Sequence, residues 1–126
     1  MSSPEYLNKQ LAGRWKQWLV ALHYADHTRD QYMKSVYLFL DYLGKRSVSG
    51  VTHLEVRRFI SYLSTRGATL ETAYRHLSVL RIFYDFLNLG GVVSYVAPRL
   101  VKLRPPRRQP GRMLSEPEIR RLIAAA

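Results

Sequence analysis

The sequence contains no cysteine and no long apolar run, and each absence excludes a class of protein. Without cysteine, neither a disulfide framework nor a thiolate metal site is possible, which suits a reducing compartment. No apolar stretch approaches the roughly 20 residues of a membrane span. The N-terminus also lacks the basic segment and following apolar run of a signal peptide. We therefore expect a soluble protein.

Acidic residues are scarce as well. The chain has 126 residues, with 20 Lys and Arg against 9 Asp and Glu, so its formal net charge is +11. Such a charge favours a polyanionic partner, of which nucleic acid is the first candidate and an anionic membrane surface the second. The length is sufficient for one domain with a hydrophobic core.

The alternating pattern of a β-sheet is absent too, because the one β-like run, residues 92–96, is too isolated to form a sheet. Four segments instead have helical periodicity and recognisable start signals. Their short connections predict an all-α fold, a compact antiparallel bundle of four to five helices. The predicted helices run from Ser3-Pro4 to about residue 22, over 28–43, from Thr52 to about Arg66, and over 69–87.

The first two helices are predicted from different signals. Ser3 and Pro4 are typical of an N-cap and a first helical position, and apolar residues then recur at helical spacing. This spacing predicts that Leu7, Leu11, Trp15, Trp18 and Leu22 face the core. In the second helix, Thr28 and Gln31 form a predicted capping box, and residues 23–27 are the predicted connector.

The fourth helix, Thr69–Leu87, is the most informative segment. Its apolar residues occupy one wide arc, which predicts deep burial; they are Ala73, Leu77, Val79, Leu80, Phe83, Tyr84, Phe86 and Leu87. A polar strip remains, comprising Glu71, Tyr74, Arg75, Ser78 and Arg81, with Thr72 beside it. Guanidinium, hydroxyl and aromatic groups suit phosphates and base edges, whereas the alternative is an ordinary solvated helix face.

Two further features favour nucleic acid. Gln31 and Lys34 are predicted on the outer side of the second helix, and two adjacent helices with such strips could enter a major groove about 12 Å wide. Residues 99–112 contain several arginines and prolines but no acid, which predicts an extended cationic linker that could follow phosphates.

Enzyme chemistry is hard to find in the sequence. His23 and His27 have the i, i+4 spacing of a zinc pair, but no third ligand has suggestive spacing. No phosphate-binding loop, dinucleotide fingerprint or G-x-S-x-G motif is present. We therefore expect no catalytic residue, no metal site and no cofactor on this chain.

Four segments, in order, resemble one family. TAYRHLSVLRIFYDFL (72–87) resembles the last core helix of the N-terminal core-binding domain of tyrosine recombinases of the phage-integrase and Xer type. Residues 27–43 and 51–63 are similar to its second and third helices. Residues 103–123 resemble the interdomain linker and the first helix of the catalytic domain.

The resemblance implies a SAM-like domain that forms half of a clamp on double-stranded DNA, at one arm of a recombination site. It implies a core-binding domain at 1–98, a basic linker at 99–113 and the first helix of a catalytic domain at 114–126, with the catalytic residues beyond this chain. Together with the polar strips, it makes these residues candidate DNA contacts: Thr28, Gln31, Lys34, Thr72, Arg75, Ser78, Arg81, Lys102, Arg104, Arg107, Arg108 and Arg112.

The implied partners are DNA and other recombinase protomers on that DNA, with no membrane and no small-molecule substrate. The implied location is the cytoplasm of a bacterium, or a phage-like setting, in association with the nucleoid. Three other interpretations stay open at this stage. They are a free-standing helical DNA-binding regulator, a protein-interaction module with a basic tail, and a metal-dependent enzyme that uses His23 and His27.

Overall fold

The computed structural model describes residues 3–103. This part of the chain contains four α-helices: α1 (Pro4–Ala21), α2 (Asp26–Leu43), α3 (His53–Thr65) and α4 (Leu70–Leu89). Two short 3-10 turns cover Val48–Gly50 and Ala97–Leu100, and residues 3–103 include no strand. The all-α prediction is therefore confirmed.

Three of the four helices begin where their capping residues predict. The Ser3 Oγ accepts a hydrogen bond from the Tyr6 amide at 3.2 Å. Thr52 caps α3 through the Glu55 amide at 3.4 Å, and Thr69 caps α4 through the Thr72 amide at 3.2 Å. Each cap satisfies an amide that would otherwise lack a partner in the first turn.

The predicted N-cap of α2, Thr28, is wrong by three residues. The helix begins at Asp26, after an N-cap at Ala25 that makes no side-chain bond, so Thr28 lies inside the first turn. The connector is short because His23 adopts a φ of 61° and the Tyr24 amide turns back to donate to the Leu19 carbonyl. Asp26 then lies at the N-terminal end of the helix dipole, where a carboxylate is favourable.

The predicted core face of α1 is only partly correct, since Trp15 is fully buried but the two ends of the predicted face are not. Leu7 and Leu22 were expected to face the core, yet they are 45% and 49% exposed. The buried positions are shifted around the helix and are Asn8, Ala12, Trp15 and Leu19, while Leu11 and Trp18 lie at the edge of the core.

Helix α4 packs against each of the other three helices and forms the centre of the core. The seven residues Ala73, Leu77, Val79, Leu80, Phe83, Tyr84 and Leu87 are buried as predicted, and Phe86 is half-buried. From α1, the Trp15 ring meets Phe83 edge-on, with ring centroids 5.1 Å apart. From α2, Phe39 meets both Phe59 of α3 and Tyr84 in the same edge-on manner.

The segment between α2 and α3 is fixed to the core at Val48. The side chain of Val48 is fully buried, and the Asn8 Oδ1 accepts a hydrogen bond from its amide at 3.0 Å. The Tyr84 hydroxyl donates to the Val48 carbonyl at 2.9 Å, and the Asn8 amide group donates to the Arg46 carbonyl at 2.8 Å. One segment thereby connects α1 with α4.

The chain remains packed beyond Pro98. The turn Ala97–Leu100 contacts α3 and α4, and Val101 is buried. Arg81 of α4 donates to the carbonyls of Pro98 and Val101, at 3.2 and 2.7 Å, and Arg99 forms an ion pair with Asp85. The predicted helix at 114–126 and most of the predicted linker lie outside the described residues.

Asn8→Ala is expected to lower the free energy of unfolding by about 3 kcal/mol, because the Val48 amide and the Arg46 carbonyl lose their partners. Urea unfolding measures the change, with the exposed neighbour variant Lys9→Ala as the matched control. A loss below about 0.5 kcal/mol for Asn8→Ala, the size expected of a surface change, would contradict this role of Asn8.

Candidate nucleic-acid interface

A single side-chain hydrogen bond joins the two helices that carry the predicted DNA contacts. The Ser35 Oγ of α2 lies 2.8 Å from the His76 Nδ1 of α4. Ser35 is only 4% exposed, so this bond is shielded from water at the serine end and satisfies a hydroxyl that would otherwise be buried without a partner. It fixes the relative position of α2 and α4 at this point.

The predicted contacts of both helices flank this bond. In α2, Gln31 and Thr28 precede Ser35 by four and seven residues, which places them on the same side of the helix. In α4, Thr72 precedes His76 by four residues, and Arg75 is its direct neighbour, turned by about 100° towards solvent. We call Thr28, Gln31, Thr72 and Arg75, around the Ser35–His76 bond, the α2–α4 edge.

The groups of this edge differ in accessibility. Gln31 and Arg75 are exposed, while Thr28 and Thr72 are half-buried. The Thr72 hydroxyl accepts a hydrogen bond from the Thr69 hydroxyl at 3.1 Å, so its oxygen is held near the N-terminus of α4. Lys34 is exposed farther around α2, in a surface groove that it shares with Lys16 of α1 and the carboxylate of Asp30.

Arg81 lies away from this edge, and the hydroxyl of Ser78 is engaged within its own helix. The guanidinium of Arg81 is engaged by the Pro98 and Val101 carbonyls, on the side of α4 that packs against the C-terminal turn. The Ser78 hydroxyl donates to the Tyr74 carbonyl at 3.0 Å, within its own helix. The structure therefore separates Arg81, beside the turn at 97–100, from the edge beside α2.

Lys102 is exposed next to that C-terminal turn. The remaining predicted contacts, Arg104, Arg107, Arg108 and Arg112, lie outside the described residues. Their role as phosphate contacts stays a prediction.

The positive charge of Arg75 is not neutralised by an ion pair within residues 3–103. The ion pairs among residues 3–103 are Asp26–Arg29, Glu55–Arg46 and Asp85–Arg99, and Arg75 belongs to none of them. Burial, together with the positive charge of Arg75, lowers the pKa of His76 below its ordinary value. His76 is therefore neutral at neutral pH while it shares the hydrogen bond with Ser35.

Within residues 3–103, no three His, Cys, Asp or Glu side chains lie close enough to hold a metal ion, and this includes His23 and His27. In the same part of the chain, no helix has the length and apolarity needed to span a membrane.

Comparison with known proteins decides the family. Residues 11–87, which include α2, α3 and most of α4, match the family described as phage integrase, N-terminal SAM-like domain. The chain belongs to this family. The resemblance identified from the sequence, and with it the SAM-like helical fold, is thus confirmed.

A tyrosine recombinase from Thermosipho africanus (strain TCF52B) is similar to the chain, with 30% identity over 107 residues. The match covers 81% of this chain and 38% of that protein, so the chain spans well under half of the relative's length. No solved structure matches the chain at a significant level.

Sequence reasoning missed the Ser35–His76 bond. The available signal was the presence of two polar residues at inward-facing helical positions, Ser35 beside Val36 and His76 beside Leu77. A buried polar residue requires a partner, but helical periodicity does not reveal which residue of another helix supplies it.

Stability should depend on pH through His76. Its pKa is lower in the folded than in the unfolded chain, so the unfolded chain binds more protons and acid favours unfolding. The contribution is complete above the unfolded value of about 6.5 and is lost as the pH falls from there towards the folded value.

His76→Gln should therefore flatten the dependence of the free energy of unfolding on pH below about 6.5. Urea unfolding at several pH values measures this, and His27→Gln, at an exposed position in the first turn of α2, is the matched control. If His76→Gln and the unchanged protein lose stability in parallel as the pH falls, His76 is not the group responsible.

Proposed function

We propose that this domain binds double-stranded DNA as the core-binding domain of a tyrosine recombinase and grips one arm of a recombination site. The α2–α4 edge is the observation that carries the proposal. Arg75 is exposed there and forms no ion pair with the described residues. The amide and hydroxyl groups beside it come from two helices whose relative position is fixed by the Ser35–His76 bond. The net charge of +11 supports a polyanionic partner.

The chemistry of these side chains suggests separate roles. Arg75 can bind the O6 and N7 atoms of guanine with two parallel hydrogen bonds, and Gln31 can do the same with the N6 and N7 atoms of adenine. Thr28 and Thr72 offer hydroxyls to bases or phosphates. Lys34 is a point charge suited to a phosphate farther along the backbone.

The basic segment after the helical domain adds contacts that do not depend on sequence. Lys102, Arg104, Arg107, Arg108 and Arg112 are proposed to follow the phosphates beyond the groove. If each of these five residues neutralises one phosphate, their share of the slope of log K against log salt is about −4.5. We also propose the order of a core-binding domain at 1–98, a linker at 99–113 and the start of a catalytic domain at 114–126. Strand cleavage and rejoining are assigned to that catalytic domain.

A neighbouring recombinase protomer on the same DNA is a second proposed partner. Its support is an apolar edge where α1 and α4 meet through Trp18 and Phe86, with ring centroids 5.4 Å apart. Leu22 follows Trp18 by one turn and is half exposed, and Leu89 follows Phe86 and is 78% exposed. Burial of these side chains between protomers would remove apolar surface from water.

Selection from a pool of random duplexes tests the function directly. We expect binding whose affinity falls steeply with salt, and enrichment of one asymmetric half-site in the retained fraction. Enrichment of a palindrome with half-sites one helical turn apart would instead indicate a dimeric regulator. No binding near physiological salt would overturn the proposal and favour a protein-interaction module.

Arg75→Ala should weaken binding to the selected duplex by about 1–3 kcal/mol and relax specificity at one base pair, because a base contact is lost. Arg107→Ala should weaken all duplexes alike and reduce the salt slope by about one. Fluorescence anisotropy on selected and scrambled duplexes measures both changes. Arg57→Ala, on the exposed side of α3, is the control.

Equal losses for Arg75→Ala on selected and scrambled duplexes would remove the claim that Arg75 reads a base. If Arg75→Ala weakens DNA binding no more than Arg57→Ala does, Arg75 is not part of the interface.

A further inference from the structure

A cluster of aromatic and cationic side chains lies where side chains from the last turn of α2 meet those of α3, outside the contacts discussed above. The rings of Tyr42 and Tyr62 are 5.1 Å apart by their centroids. The guanidinium of Arg66 lies over the Tyr62 ring, 4.7 Å from its centroid. We call Tyr42, Tyr62 and Arg66 the tyrosine–arginine cluster.

Arg66 differs from Arg46 in the number of polar contacts that its guanidinium makes. Arg46 lies over the Tyr42 ring, but its guanidinium also donates to the Leu43 and Tyr42 carbonyls and forms an ion pair with Glu55. The exposed side chain of Arg66 makes no hydrogen bond and no ion pair with any of the residues 3–103. Its charge is therefore available to an external anion.

The cluster adjoins the α2–α4 edge through both of its helices. Tyr42 follows Ser35 by seven residues, so it lies on the same side of α2 as Gln31 and Thr28. Arg66 ends α3 and is followed by a tight turn, in which Gly67 has a φ of 92°, that leads directly to Thr69 at the N-terminus of α4. The exposed arginine is thus placed beside the end of α4 that carries Thr72 and Arg75.

We propose that the tyrosine–arginine cluster binds a phosphate of the DNA backbone through Arg66, next to the bases contacted by the α2–α4 edge. The inference rests on the proposed DNA-binding function and extends the interface onto α3. Stacking on Tyr62 restricts the guanidinium before binding, so less side-chain freedom is lost when it engages the phosphate. Its planar fork can donate two parallel hydrogen bonds to the phosphate oxygens.

The tyrosine hydroxyls complete the site. The hydrogen bonds among residues 3–103 leave the hydroxyls of Tyr42 and Tyr62 without partners, and both rings are half-buried at the surface. Tyrosine hydroxyls are common donors to phosphate oxygens in protein–DNA complexes. The charge around the cluster favours an anion, because the nearby carboxylate of Glu55 is already paired with Arg46.

The test compares Arg66→Gln with Arg57→Gln in the full chain, by fluorescence anisotropy against one duplex over a salt series. Both changes remove one positive charge from an exposed position of the α3 region, but Arg57 lies on the side of α3 opposite to buried Phe59. Arg66→Gln should reduce the magnitude of the salt slope by about 0.9, whereas Arg57→Gln should leave it unchanged.

The affinity difference between Arg66→Gln and the unchanged protein should also shrink, by about 3.5-fold between 50 and 200 mM salt. Arg66→Lys should retain the salt slope while losing part of the affinity, because the charge remains but the fork is lost. The losses should be the same on selected and scrambled duplexes, since a phosphate contact carries no sequence information.

Equal slopes for Arg66→Gln and Arg57→Gln, with tight binding of duplex by the unchanged protein, would overturn the phosphate site and leave the proposed function intact. A loss confined to the selected duplex would also overturn it, because Arg66 would then read a base. No binding by the unchanged protein would refute the proposed function itself, and this site with it.

Discussion

The hydrogen bonds to the Val48 segment are the constraint on which the rest of the structure depends. Asn8 of α1 and Tyr84 of α4 both bind this segment, and the fully buried Val48 side chain fills the space between them. Since the segment joins α2 to α3, the same bonds position all four helices. A buried polar group is costly without partners, so these bonds favour one arrangement over alternatives that are equally apolar.

The functional surface follows from that arrangement. Once α4 lies at the centre of the core, its solvent-facing arc is divided between α2 on one side and the C-terminal turn on the other. The Ser35–His76 bond fixes the first side and leaves Arg75 exposed, while the carbonyls of Pro98 and Val101 engage Arg81 on the second. Two arginines that look equivalent in the sequence therefore have different environments.

Much of the fold could be predicted because its signals are local. Caps such as Thr52 and Thr69, and the dense apolar arc of α4, depend only on residues within a few turns. The register of α1 could not be predicted, because the choice between Leu7 and Asn8 as the buried residue depends on a hydrogen bond to a segment 40 residues away. The start of α2 and the bonds of Arg81 were missed for the same reason. The backbone conformation of His23 sets where α2 begins, and carbonyls distant in the sequence, those of Pro98 and Val101, bind Arg81.

Chemical-shift mapping of the ¹⁵N-labelled chain during titration with duplex DNA tests the central claim most directly. If the α2–α4 edge binds the duplex, the backbone amides of Gln31, Thr72 and Arg75 should shift most, together with those around Arg66. The amides of Glu5 and Lys9, in the first two turns of α1, should shift much less. The largest shifts at Glu5 and Lys9, with Arg75 unaffected, would contradict the account.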